Sequence, residues 1–233
     1  SQERPFAMAA QAPARAWPEP EKLKAVLARL AAAKRPVLIG GHGVWWSGAE
    51  ALLEEAGRRL NIPIFNIPYH QKLLGEDCEA YMGLADVHQY HPSADAFNEA
   101  DLVLMIGGRL DNQMNFGNPP LFPATTTLCC INGSHEEVDF NRAADMTLLS
   151  DPGAFLQAVI DAGAIGDIST DKAWFELNRR RRAEWVARMI ADVEAEAADD
   201  AFGGRIHPMQ LALDVQTPMA DGDWLVIDGG NTH

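Results

Sequence analysis

The strongest constraint on this chain is an alternation. Between residues 21 and 162, short apolar runs bounded by glycine and proline take turns with longer amphipathic stretches. The spacing predicts helices over 21–33, 47–60, 93–100 and 152–162. It predicts strands at 36–40 (PVLIG), 62–67 (IPIFNI), 102–107 (LVLMIG), 127–132 (TLCCIN) and 146–150 (MTLLS). These strands are short apolar runs bounded by glycine and proline. Strands of that kind separated by helices fold as α/β, with a doubly wound parallel sheet and helices on both faces. One such unit fills residues 22–165, and a chain of 233 residues with 47% hydrophobic content can bury its core.

The flanks read differently. Residues 1–21 carry Pro5, Pro13, Pro18 and Pro20 and suit an extended linker. A break over 163–170 leads into a long charged helix over 171–198, within a helical linker spanning 166–204. Its arginine run, Arg179 to Arg182, is flanked at helical spacing by Trp174, Phe175, Trp185, Val186 and Ile190. The run reads as a solvated face balanced by Asp192, Glu194 and Glu196. Residues 205–233 predict a helix opening at Pro208 and a buried strand ending in a glycine turn, the truncated start of a second α/β domain. Ending there leaves that strand without neighbours, which points to a fragment or to a partner that completes the sheet.

Composition excludes several classes of partner. A formal net charge of −14 opposes nucleic acid and anionic membrane surfaces. No apolar run reaches the roughly 20 residues of a membrane span, and the first residues lack a signal-peptide core, so a cytoplasmic location is expected. Cys78, Cys129 and Cys130 have neither metal-ligand spacing nor a disulfide framework, and read as small buried hydrophobes.

The stretch from Asp101 to Pro120, DLVLMIGGRLDNQMNFGNPP, places paired glycines and a cation at the end of a buried strand. In an open α/β sheet that is the ligand-binding edge. Gly107 and Gly108 allow close backbone approach, and Arg109 brings a planar fork of donors suited to phosphate or carboxylate. Gly40 to Gly43 occupy the same position after the first strand, ahead of a helix beginning near Ser47. As a dinucleotide fingerprint they fail, because the third glycine position holds Trp46. A structural turn and a ligand loop are equally compatible with them. His88 and His91 stand three apart beside Asp86 without a third fixed ligand, so no metal site is expected. There is no nucleophile elbow, no P-loop and no cysteine beside a histidine base, so no catalytic residue is assigned.

Taken in order, KRPVLIGGHG, IPIFNI, EADLVLMIGGRLDNQMNFG, HEEVDFNRAADMTLLSD and DWLVIDGGNTH resemble the central domain of thiamine-diphosphate-dependent enzymes, followed by the opening of their diphosphate-binding domain. The resemblance covers residues 22–165 and 205–233. Arg109-Leu110, Phe116-Gly117 and Pro119-Pro120 are similar to the R-L-N-W-x-x-x-F-G-x-P-P pattern of the 2-hydroxyacyl-CoA lyase and oxalyl-CoA decarboxylase branch, and the closing GGNT to its G-A-N-T turn. Asp111 and Asn112 depart from that pattern, which keeps an acetolactate-synthase-like relative open.

The resemblance implies a segment of an enzyme that cleaves or forms a carbon–carbon bond next to a carbonyl. It implies thiamine diphosphate with Mg2+ held between subunits of a homodimer or homotetramer, and a 2-hydroxyacyl-CoA or 2-oxo acid substrate. Reactive groups would come from the remaining domains of the enzyme, leaving this segment alone inert. Gly230, Asn231 and Thr232 would meet the cofactor diphosphate. Gly41, Gly43, Gly108, Arg109, Asn132 and Asp151 would line a central-domain pocket for ADP, FAD or CoA, with Asn132 standing where many relatives carry an acid that reaches the ribose. A stand-alone adenine-nucleotide or CoA-binding regulatory module is the alternative from a different class, and a sirtuin-like or flavoprotein enzyme a third.

Overall fold

A computed structural model of the chain describes residues 14–68, 73–165, 168, 170–198, 206, 208–220 and 222–223. Six strands form one sheet: β1 (Pro36–Gly40), β2 (Ile64–Asn66), β3 (Tyr81–Leu84), β4 (Leu102–Ile106), β5 (Thr127–Asn132) and β6 (Met146–Leu149). All pairings are parallel, in the order β3-β2-β1-β4-β5-β6. The chain winds outward one way from β1 and the other way from β4. The reversal falls between those two central strands, where such folds open a crevice at the strand carboxyl ends.

Around the sheet lie α1 (Pro20–Ala32), α2 (His42–Trp46), α3 (Glu50–Leu60), α4 (His91–Glu99) and α5 (Pro152–Ile165). Every residue of β1 and β4 is buried, as expected for strands covered on both faces. An aromatic chain runs through one layer: the Phe65 and Phe97 rings meet edge to face at 5.1 Å, and Phe97 stacks on Phe122 at 5.1 Å. Register sets Gly40 opposite both Asn66 and Ile106, so the loops after β1, β2 and β4 leave the sheet at one level.

Two elements differ from the sequence reading. Tyr81–Leu84 is a strand that the apolar pattern does not reveal, because it is four residues long and contains Gly83 at φ +110°. That glycine makes room for the Tyr90 ring, whose hydroxyl donates to the Met82 carbonyl at 2.6 Å. The helix expected over 47–60 is α3, which starts at Glu50; an additional short helix, α2, precedes it directly after Gly41, and a turn through Gly48, at φ +60°, separates the two.

The long helix α6 (Lys172–Ala198) follows, and two compact units divide within it, Ser1–Arg182 and Ala183–His233. In the first unit, Trp174 is buried and its indole N–H donates to the Pro36 carbonyl at 2.9 Å. Arg181 pairs with Glu99, and Arg182 pairs with Glu76 while lying 5.1 Å over the Tyr81 ring. Both side chains are less than one-fifth exposed, so these two arginines anchor α6 rather than forming a solvated face. In the second unit, Arg188 lies 4.6 Å over Trp185, and α7 (Pro208–Gln216) exposes Leu211, Leu213 and Val215. The predicted final strand and Gly230, Asn231 and Thr232 lie outside the described residues. Among the described residues no helix is long and apolar enough to cross a membrane.

Candidate functional site

The loops after β1 and β4 meet at the point where the strand order reverses, and they are bonded to each other. The Gly41 N–H donates to the Ile106 carbonyl at 2.9 Å and the Gly43 N–H to the Gly107 carbonyl at 2.8 Å. A Cβ on Gly41 would lie 2.5 Å from both the Gly107 oxygen and the Gly108 Cα, and one on Gly43 would lie 2.7 Å from the Gly107 Cα. Gly107 itself sits at φ +65°. These glycines are required by backbone packing against backbone.

Two clefts open beside this junction. One, of about 330 Å³, is lined by Gly43, Gly108, Arg109 and Asn132 from the expected set, together with His42, Trp46, Ile67, Asp111 and Glu137. The other, of about 450 Å³, is lined by Gly43, Asn132 and Asp151, together with Arg15, Trp46 and Ser47. Gly41 lines neither and lies at the loop junction. The clefts share Trp46, which is 78% exposed and meets Trp45 edge to face at 4.7 Å. The sequence flagged Trp46 only as a breach of a glycine fingerprint; its exposure between the clefts was not foreseen. Arg15, Ser47 and Glu137 were given no site role, and Asp111 was noted only as a departure from the lyase-branch pattern.

The polar groups are largely engaged. The Arg109 side chain is 48% exposed, with one nitrogen 3.4 Å from a Glu137 oxygen and its guanidinium 4.9 Å over the Phe140 ring. The Asn132 amide donates to the Gly108 carbonyl at 3.4 Å, and its oxygen accepts from the Ser134 N–H at 3.2 Å. Asp151 is the N-cap of α5: one carboxylate oxygen accepts from the Ala154 N–H at 2.9 Å, and both lie within 3.0 Å of the Ser47 hydroxyl. Arg15 donates to the Ser47 carbonyl at 2.7 Å and lies 3.6 Å from Asp151, while the Asp151 N–H donates to the Ala16 carbonyl at 2.8 Å. The predicted linker is therefore pinned at residues 15 and 16 to the carboxyl edge of the sheet.

Beyond Arg109 the loop turns tightly. Asp111 accepts from the Gln113 N–H at 3.1 Å, and burial pushes its carboxyl above the usual carboxylate range, against the opposing pull of those amide hydrogen bonds and of Arg109. Asn115 (φ 50°), Phe116 (φ 55°) and Gly117 (φ 72°) are successive left-handed residues, and Phe116 is 45% exposed. Arg142 holds this turn, donating to the carbonyls of Gly117 at 2.9 Å, Thr126 at 3.3 Å and Phe122 at 3.4 Å. The Asn141 amide takes the Leu110 carbonyl at 2.6 Å.

This geometry defines the class: an all-parallel, doubly wound α/β domain whose clefts open at the strand-order reversal. A model of the thiamine pyrophosphate enzyme central domain matches residues 23–159, and the chain belongs to that family. It is 28% identical over 219 residues to the acetolactate synthase large subunit IlvG of Mycobacterium tuberculosis, covering 94% of this chain and 37% of that protein. It is 31% identical over 127 residues to 2-hydroxyacyl-CoA lyase 1 of Dictyostelium discoideum, covering 54% and 20%. Among solved structures it superposes on benzoylformate decarboxylase from Polynucleobacter necessarius with a TM-score of 0.55 at 22% identity, covering 69% of this chain and 30% of that one. For a thiamine diphosphate-dependent 4-hydroxybenzoylformate decarboxylase of Rhodococcus jostii RHA1 the TM-score is 0.57 at 16% identity, covering 68% and 30%. The chain thus spans about a third or less of each relative. These matches give the stand-alone nucleotide module no support.

The family implies thiamine diphosphate. Among the described residues no group of three or more His, Cys, Asp or Glu side chains is placed to hold a metal ion.

Proposed function

We propose that this chain is the central portion of a thiamine diphosphate-dependent enzyme that makes or breaks a carbon–carbon bond next to a carbonyl. The observation that carries the reading is the family match over residues 23–159. When bound, the cofactor supplies an electron sink for the carbanion released by bond cleavage. In this reading residues 22–165 are the central domain, 1–21 and 166–204 are connectors, and 205–233 begin the diphosphate-binding domain. Gly230, Asn231 and Thr232 are its contacts to the diphosphate, whose charge Mg2+ neutralises. The enzyme is a cytoplasmic homodimer or homotetramer, and its reactive groups belong to its other domains. What the described residues contribute is a rigid corner, built on paired glycine loops and fixed by Asp151, Arg15 and Arg142.

A small 2-oxo acid is the proposed carbonyl donor, supported by the similarity to acetolactate synthase along nearly the whole chain. A 2-hydroxyacyl-CoA is the second reading, favoured by Arg109-Leu110, Phe116-Gly117 and Pro119-Pro120 and by the similarity to the lyase. The expected ADP, FAD or CoA site bears on that choice and is taken up below. The test is to supply the full-length enzyme with thiamine diphosphate and Mg2+ and to follow CO2 release from 2-oxo acids alongside aldehyde release from 2-hydroxyacyl-CoA. Asn231→Ala should raise the cofactor concentration needed for half-maximal rate by about tenfold, the loss of roughly 1.4 kcal/mol of binding. Absence of any saturable response to the cofactor refutes the assignment.

A further inference from the structure

We infer that the cleft at the β1 and β4 ends is closed to the diphosphate of an adenine nucleotide by the protein's own groups. The inference rests on the central-domain assignment but not on the reaction proposed above. Holding a diphosphate takes uncommitted backbone amides at a loop or helix start, or cations not already neutralised. Both kinds of donor face this edge of the sheet, and those after β1 and at the start of α5 are engaged by the protein itself.

After β1, the Gly41 and Gly43 amides donate to the Ile106 and Gly107 carbonyls, and the Val44 amide returns to the Gly41 carbonyl at 3.0 Å. After β6, the opening amides of α5 are taken in turn. Gly153 donates to the Ser47 hydroxyl oxygen at 3.1 Å, Ala154 to the Asp151 carboxylate and Phe155 to the Asp151 carbonyl at 3.0 Å. A phosphate at that helix start would displace a carboxylate already seated there. The Arg15 guanidinium fills the adjoining space, since a Cβ on Gly153 would lie 2.6 Å from its nitrogen.

The cations are matched as well. Arg109 faces Glu137, and Arg15 faces Asp151. The Arg109 pair is half exposed and is the weaker of the closures, but Asp111 lines the same cleft. Three carboxylates thus stand against two guanidiniums across the two clefts. At the end of β5, Asn132 brings no charge to a ribose, and its amide is committed to Gly108 and Ser134.

The test compares ligands that differ only in phosphate. The full-length enzyme is titrated calorimetrically with ADP and with adenosine, and acid extracts of the purified sample are assayed for released ADP, FAD and CoA. The expected result is no stoichiometric nucleotide in the extract and an ADP affinity within about tenfold of the adenosine affinity, both being weaker than about 1 mM. Stoichiometric ADP, FAD or CoA in the extract overturns the inference, as does ADP binding more than about tenfold tighter than adenosine. The same sample is titrated with thiamine diphosphate and Mg2+. A response there with no phosphate preference for adenine ligands upholds both readings. Loss of that response instead removes the family-based function without touching the cleft result.

Discussion

Gly41→Ala isolates the packing role of the glycine loops. Gly41 has φ −114° and ψ −173°, extended backbone that alanine adopts freely, so the substitution carries no conformational penalty and acts through sterics alone. The added Cβ would lie 2.5 Å from the Gly107 oxygen and the Gly108 Cα and 2.7 Å from the Gly108 nitrogen. All three are backbone atoms of the neighbouring loop, which cannot rotate away as a side chain can. Restoring ordinary contact requires the loops to part by about 1 Å. That stretches the 2.9 Å Gly41–Ile106 and 2.8 Å Gly43–Gly107 hydrogen bonds beyond useful range. Overpacking contributes about 1–3 kcal/mol and the two hydrogen bonds about 1 kcal/mol each, or about 4 kcal/mol together. For a domain of this size the melting temperature should fall by about 8–16 °C.

Thermal unfolding of the full-length enzyme, followed by circular dichroism, reads the effect, and two further glycines calibrate it. At Gly48 nothing stands within 4 Å of a Cβ but φ is +60°, so alanine costs about 1–2 kcal/mol from backbone strain. Gly133 has open space and no left-handed φ, so alanine there should be neutral or stabilising by up to about 1 kcal/mol. If Gly41→Ala melts within about 2 °C of the parent, or no lower than Gly48→Ala, the loops are not locked together as described.

Three other outcomes follow from the same contacts. Arg142→Ala leaves the carbonyls of Gly117, Phe122 and Thr126 without their shared donor and should cost about 2–3 kcal/mol in urea unfolding. Arg142→Lys should recover less than half, since an ammonium lacks the planar fork; full recovery would contradict this. Arg182→Ala removes the Glu76 pair and the contact over Tyr81, and should cost about 1 kcal/mol by the same measurement; an unchanged midpoint would show that α6 is anchored by Trp174 instead. Burial pushes the Cys129 and Cys130 thiols up to about 12 from 9.0, so the fold keeps protons that the unfolded chain gives up. Their contribution to stability is whole below pH 9 and drains away as pH rises from there toward 12. A thiol reagent at pH 8 should label neither residue until denaturant is added, and rapid labelling of the native enzyme would refute that.

The central sheet was readable because its signal is collective. Five largely apolar runs alternating with amphipathic stretches have few other ways to bury themselves, and each of the five contains an observed strand. Tyr81–Leu84 escaped because its strand character depends on Tyr90 fitting over Gly83, a contact seven residues distant that no local pattern encodes. The arginine run was misread for a related reason. Of the apolar residues at helical spacing, Trp174 and Phe175 are buried while Val186 and Ile190 are exposed, and whether Arg181 and Arg182 face water is decided by Glu99 and Glu76, which lie more than 80 residues away in sequence.

The site residues expose a deeper ambiguity. A glycine pair after a buried strand records that some atom approaches the backbone closely, without saying whose atom it is. At Gly41, Gly43 and Gly107 the approaching atoms belong to the opposite loop; the Gly41 and Gly43 amides hold the two loops together, and the Gly107 amide donates to the Ile131 carbonyl of β5. Asp151 carries the same double meaning. It was expected to line a central-domain pocket, and in the structure its carboxylate also caps α5 through the Ala154 amide and accepts from the Ser47 hydroxyl. The clefts themselves remain, with the exposed Trp46 lining both.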